Sequence, residues 1–182
     1  MTVAELSEHN FHPAYRADID GLRALAILAV IAFHAFPKTL RSGYTGVDVF
    51  FVISGYLMTA IIFDLQAAGR FSVTDFYLAR ARRIVPALAV ACLGVLGFGW
   101  FWLGAVDYTT LGKHAGAAIL FFSNHVFASE AGYFDSASHE KWLLHTWSLS
   151  LEWQFYLLYP LLLAGAARFS RVSARGLVVA TF

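Results

Sequence analysis

Residues 20–37 read DGLRALAILAVIAFHAFP, an almost unbroken apolar run with Arg23 near one end and His34 near the other. A helix of this length and composition approaches what the hydrocarbon core of a bilayer demands, about 20 residues. Positions eleven apart are rotated by about 1100°, about 20° past three full turns, so Arg23 and His34 share one helical face. They are about 16 Å apart along the axis. An ionisable side chain at membrane depth is costly to hold there and turns toward protein or a polar cavity rather than lipid. The run is therefore expected to form one wall of an intramembrane reaction site.

Composition extends this to the whole chain. Of its 182 residues, 59% are hydrophobic and 14% charged, against about 45–50% and 25% in ordinary globular domains. The apolar excess lies in long blocks, which predicts an all-α polytopic transmembrane helix bundle of about five helices. The net charge of +1, with no basic patch interleaved with aromatics, gives no footprint for nucleic acid. Cys92 is the only cysteine, so neither a disulfide framework nor a thiol metal site is available, and no metal is expected.

Residues 1–18 are polar and mixed in charge, with no cleavable leader, and are expected to form a cytoplasmic tail. His9 and His12 lie in it without further ligands. Predicted spans follow at 19–36, 44–65 and 84–106, with a last one at 142–167. Gly46 and Gly55 allow close helix approach in the second. Between the second and third, residues 72–84 (SVTDFYLARARRI) read as a short amphipathic interfacial helix. Arg70, Arg80, Arg82 and Arg83 mark that segment as cytoplasmic, and counting spans from a cytoplasmic N-terminus agrees. Pro86 is expected in the first turn of the third span, where proline is tolerated. Residues 112–128 are apolar but interrupted by Lys113, His114, Ser123, Asn124 and His125. They are expected as a short fourth helix or, better suited to the charges that follow, a re-entrant piece. Arg168, Arg171 and Arg175 precede a new apolar run at 176–182, so residues 19–182 are expected to be the N-terminal part of a longer membrane domain.

Three constellations carry chemistry. The first is Arg23 with His34: a neutral imidazole can take a proton from a hydroxyl, although Arg23 on its own is equally a snorkelling interfacial side chain. The second is His145 with Glu152, seven apart and on one face of a predicted helix. Two roles are open there, proton transfer by a buried acid and polar glue between helices. Ser148, also on that face, lacks the GxSxG context of a Ser–His nucleophile pair. The third is Arg80, Arg82 and Arg83, either a plain topology signal or a phosphate-binding set, since guanidinium groups grip phosphate bidentately. Asp48 is a weaker fourth candidate, giving polar support to Arg23 or Arg41. P-loop, GxGxxG, HExxH and CxxC motifs are absent from the sequence.

Together these residues resemble the membrane-bound acyltransferase-3 family, the O-acyltransferases that decorate bacterial surface polysaccharides. Four ordered stretches carry the likeness: IDGLRALAILAVIAFH, GYTGVDVFFVISGYLMT, FYLARARRIVPAL and HTWSLSLEWQFYLLYP. The resemblance implies a bundle of roughly ten helices, of which this chain is the N-terminal portion, in the bacterial inner membrane. It implies transfer of an acyl group, often acetyl, from cytoplasmic acyl-CoA to a glycan hydroxyl across the bilayer, with acyl-CoA a donor substrate rather than a bound cofactor. His34 would be the catalytic histidine and Arg23 its partner, Arg80 and Arg83 would hold the CoA phosphates, and Glu152 would be the buried acid. The chain departs from the family where Trp153 follows Glu152, a place where the family often has a second acid. Lipopolysaccharide, peptidoglycan and other glycans are all possible acceptors. Two rivals use the same residues: a proton- or anion-coupled transporter lined by Arg23, His34, Asp48 and Glu152, and an inactive truncated membrane module.

Overall fold

The computed structural model describes residues 16–36, 38, 41–131 and 141–169. Most of the expected tail with His9 and His12, and Arg171, Arg175 and the run at 176–182, lie outside the described residues. Among the described residues the chain is all-α. The elements are α1 (Ala17–Ala35), a 3-10 turn (Arg41–Thr45), α2 (Gly46–Ala67), α3 (Val73–Trp102), α4 (Ala105–Ile119), α5 (Ser123–Glu130) and α6 (Thr146–Phe169). Ser42–Ala67 and Val73–Trp102 are long and apolar enough to cross a membrane. The chain divides into two compact units at Asp64–Leu65, inside α2.

The first unit is a helical hairpin. A β-carbon on Gly43 would stand 2.3 Å from the Ala29 carbonyl oxygen, and one on Gly46 would stand 2.5 Å from that of Ala26. Glycine is required at both because backbone meets backbone. At the other end of α1, Arg16 forks onto Asp18 at 2.6 and 2.9 Å and donates to the Tyr56 hydroxyl at 3.2 Å. Contacts that run from Ala26 to Gly46 and from Arg16 to Tyr56 make α1 and α2 antiparallel, as their short connection predicts. Leu22, Leu25, Leu28 and Ile31 leave an apolar face of α1 exposed.

The second unit departs from the expected boundaries in three places. Residues 72–84 and 84–106, expected as an interfacial helix and a separate span, are one helix of 30 residues. Ser72 starts it by accepting the Asp75 N–H at 3.3 Å, and the Ala, Leu and Arg that follow are strong helix formers. Pro86 thus lies mid-helix, where its missing N–H leaves the Arg82 carbonyl without its intrahelical bond.

The segment expected over 112–128 is two helices, which raises the count to six. At about 1.5 Å per residue, α4 is about 22 Å long and α5 about 12 Å, both short of a 30 Å hydrocarbon core. The break falls at Phe121, whose φ of 53° is left-handed. Its strain, on the order of 1–2 kcal/mol, is offset by burial of the ring, which stacks on Trp153 at 4.5 Å. The last helix begins at Thr146 rather than 142, after a turn of residues 142–145.

An apolar core joins α3, α4 and α6. Leu88 and Cys92 face Leu111, Ala115 and Ala118, with Phe121 and Leu143 closing one side. Ala115 and Ala118, small residues one turn apart on α4, let α3 come close, and Gly99 lies so near Leu111 that a β-carbon there would meet its Cδ2 at 2.7 Å.

A polar seam then ties α5 to α6. The Thr146 hydroxyl is directed toward both the Leu143 carbonyl at 2.7 Å and the Ser123 hydroxyl at 3.0 Å, and the Ser123 and Ser150 hydroxyls bond each other at 2.7 Å. The Ser123 N–H returns to the Ser150 oxygen at 3.3 Å. Beside this chain the Asn124 and Gln154 amides pair reciprocally at 3.0 and 3.1 Å, and Gln154 spends its second N–H on the Phe121 carbonyl at 3.0 Å. The backbone of the break is thus satisfied from α6, the condition under which non-helical backbone survives at membrane depth.

Three outcomes follow for thermal unfolding of the full-length protein in detergent. Gly46→Ala lowers stability by about 1–3 kcal/mol through overpacking. Gly97→Ala, where a β-carbon meets nothing within 4 Å, is neutral or gains up to about 1 kcal/mol in helix propensity. Gln154→Leu costs about 2–4 kcal/mol, because it leaves the Phe121 carbonyl and the Asn124 amide unpaired.

Candidate functional site

The expected site residues fall in both units. In the first, His34 lies in the last turn of α1 and its Nδ1 is 2.8 Å from the Val30 carbonyl oxygen. A carbonyl only accepts, so Nδ1 carries the proton and, in the neutral ring, Nε2 carries the lone pair. The helix thus sets the tautomer itself; expected orientation by Arg23 or Asp48 is not what the geometry shows. The edge of the Phe33 ring flanks the imidazole, with centroids 5.2 Å apart. His34 is exposed, consistent with a group that must meet a substrate.

Arg23 is half-buried and lies 4.0 Å from Asp20, one turn earlier on α1. Its expected partner, Asp48, is exposed in the first turn of α2, where a carboxylate complements the positive end of the helix dipole. Arg23 and His34 do share a face of α1, but their separation of about 16 Å rules out direct contact.

In the second unit Arg80 and Glu152 come together, which the spacing of motifs did not foretell. The Tyr77 hydroxyl donates to the Leu157 carbonyl at 2.7 Å and fixes α3 against α6. One turn on from Tyr77, Arg80 is half-buried, with its guanidinium carbon 5.7 Å from the Phe76 ring centre. Its Nε is buried without a hydrogen-bond partner. The Arg80 charge feels both Glu152 and Tyr156, and the Tyr156 hydroxyl donates a short hydrogen bond to the Glu152 carboxylate. Arg83 is near enough to repel Arg80 electrostatically, and both Arg82 and Arg83 are exposed. The three arginines are therefore a graded set, with Arg80 half-buried against Phe76 and Arg82 and Arg83 exposed.

His145 lies in the turn that leads directly into α6, one residue before its first position. Ser148 donates to the His145 backbone carbonyl at 3.1 Å, capping the turn.

A cluster that sequence reasoning missed joins α4, α5 and the turn before α6. Glu130 is 2.7 Å from Lys113 Nζ, 2.9 Å from His114 Nε2 and 3.6 Å from Lys141 Nζ. His114 and Lys141 are both buried. The carboxylate accepts only, so Nε2 of His114 bears a proton. Burial alone would push the Glu130 carboxyl up, but hydrogen bonds from Lys113 and His114 outweigh it and hold the group below its usual value. The signal in the sequence was faint: Lys113 and His114 stand out only as polar interruptions of an apolar segment, 17 and 16 residues before the acid.

A family described as an acyltransferase domain, the acyltransferase-3 family, matches residues 16–182. The O-acetyltransferase OatA of Staphylococcus aureus (strain NCTC 8325 / PS 47) is 35% identical over 158 residues, which are 86% of this chain and 26% of that protein. A putative O-acetyltransferase, SAS0844, of Staphylococcus aureus (strain MSSA476) is 36% identical over 151 residues, 82% of this chain and 25% of that protein. No solved structure matches the chain. The chain belongs to the acyltransferase-3 family and spans about a quarter of the length of the curated relatives it matches.

Because the Glu130 carboxyl is held low, its ion pairs stabilise the fold above the unfolded value of 4.5 and are lost as pH falls through the lower folded value. Glu130→Gln accordingly lowers the melting temperature at pH 7. The difference from wild type closes as pH falls through the folded value, below which both carry a neutral side chain. A pH series of melting curves on both proteins checks this.

Proposed function

We propose that, within this family, the full-length protein is a membrane-embedded O-acyltransferase. It moves an acyl group, acetyl by likeness to its relatives, from cytoplasmic acyl-CoA to a hydroxyl of an exported or cell-surface glycan. The observation that carries this is the His34 tautomer: the Val30 carbonyl holds Nδ1–H, so Nε2 is the basic nitrogen. In direct transfer, Nε2 takes the proton of the acceptor hydroxyl as its oxygen attacks the thioester carbonyl. The C–S bond then breaks, and the thiolate leaves as CoA after taking that proton. In a relay, Nε2 itself attacks the thioester and expels the CoA thiolate; the hydroxyl oxygen then takes the acyl group from the acyl-imidazole, its proton passing to the freed Nε2 and on to the thiolate. Both routes need the same nitrogen.

Arg82 and Arg83, exposed beside the half-buried Arg80, suit the phosphates of the donor. The charge of Glu152 on α6 favours the charged form of Arg80 from a distance. Arg23, on the His34 face of α1, is the partner expected to meet substrate charge. The membrane is taken as the bacterial inner membrane with the N-terminus cytoplasmic. This rests on the arginines in the first half of α3 and on Trp100 and Trp102 at its other end, both exposed as in an interfacial belt.

The test is acetyl transfer from radiolabelled acetyl-CoA to membrane glycans, in cells lacking the activity and supplied with the full-length gene. Wild type labels a glycan; His34→Ala, at matched membrane level, loses about 100-fold or more. Arg83→Ala raises the KM for acetyl-CoA about 10-fold with a smaller change in kcat. Equal labelling by His34→Ala overturns the assignment of His34.

A further inference from the structure

Resting on the reading above, we infer that the cavity between α4 and the turn before α6 is a subsite for a neutral saccharide, the ring that presents its hydroxyl for acylation. The cavity holds about 500 Å³, within the range of small-molecule sites. Asp107, Thr110 and His114 line it from one face of α4, at i, i+3 and i+7. Lys141 and Trp142 line it from the turn.

The chemistry of this lining fits a sugar better than an ion. Lys141 is buried, and its charge is answered by Glu130 at 3.6 Å. Asp107 is an exposed carboxylate, and such a group accepts from two adjacent hydroxyls at once. Lys113 and Lys141 face the two carboxylates of Glu130 and Asp107, so the charges balance and the site does not concentrate anions. The Thr110 hydroxyl spends its proton on the Val106 carbonyl at 3.2 Å and so presents lone pairs to a ligand hydroxyl. Trp142 remains 42% exposed, a flat amphipathic surface for the C–H face of a pyranose. Its ring is braced by Phe98 at 5.6 Å, which itself stacks on Trp102 at 4.6 Å.

The location agrees with an acceptor. Leu103, at the end of α3, also lines the cavity. From Arg83 to Leu103 is about 30 Å along a helix, the thickness of the hydrocarbon core. Donor-side arginines and this cavity are therefore at opposite ends of α3, as a transfer across the bilayer requires.

The experiment uses purified full-length protein in lipid nanodiscs, with cellobiose and the β-1,4 disaccharide of N-acetylglucosamine as probes. Binding is read by calorimetry, and acetyl transfer to the same probes by steady-state kinetics. Wild type binds at least one probe. Trp142→Ala and Asp107→Asn each weaken that binding, and raise the KM for the probe, by about 10-fold. The KM for acetyl-CoA stays unchanged in both. Trp142→Phe, which keeps a ring, stays within about threefold, and so does Trp100→Ala, whose side chain does not line the cavity. Binding by neither probe overturns the inference, as does retention of affinity in both cavity variants. A loss confined to kcat overturns it as well. Wild type that binds a probe through Trp142 and Asp107 but never acetylates it leaves the saccharide subsite standing and overturns the proposed transfer.

Discussion

A break in a helix surrounded by apolar side chains leaves backbone groups that must be satisfied from within the protein. In this chain the break is at Phe121, and the α6 side chains of Ser150 and Gln154 answer it. Each bond is modest by itself, about 0.6 kcal/mol on average in a membrane setting. Leaving several of the groups unpaired together is far more costly. That asymmetry holds α5 on α6. It also fixes where α4 ends, and with it the buried His114–Glu130 pair and the cavity beside Lys141.

The same logic explains why the arginines of α3 differ from one another. A continuous helix of 30 residues carries them on a rigid rod rather than in a loop. The rod is clamped to α6 by the Tyr77–Leu157 bond, so Arg80 packs toward Glu152 and Tyr156 while Arg82 and Arg83 stay open. A loop would have left all three equivalent. Likewise His34 draws its tautomer from its own helix, one turn back at Val30, and needs no distant carboxylate to set it.

Much of this was legible beforehand. The motifs around Arg23 and His34, around Arg80 and Arg83, and around Glu152 mark the family, and apolar blocks of bilayer length mark an all-α membrane fold. Gly46 was read as a close-approach position, and the structure places it against Ala26. What misled were local signals taken as boundaries. Pro86 suggested a helix start, yet the turn capped by Ser72 had already begun the helix. The predicted start of the last helix at 142 likewise precedes its observed start at Thr146.

The sequence by itself determined which segments are helical, which of them suit a membrane, and which residue types are available for acyl transfer. Those are properties of short windows: hydrophobicity, periodicity and motif order. Only the tertiary structure decided that Glu130 answers Lys113, His114 and Lys141, that Gln154 repairs the break at Phe121, and that Asp107 and Trp142 border one cavity. Each of these joins residues distant in sequence across separate elements, where no periodicity acts. The pairing is set by the shared need to satisfy polar groups that packing removes from water.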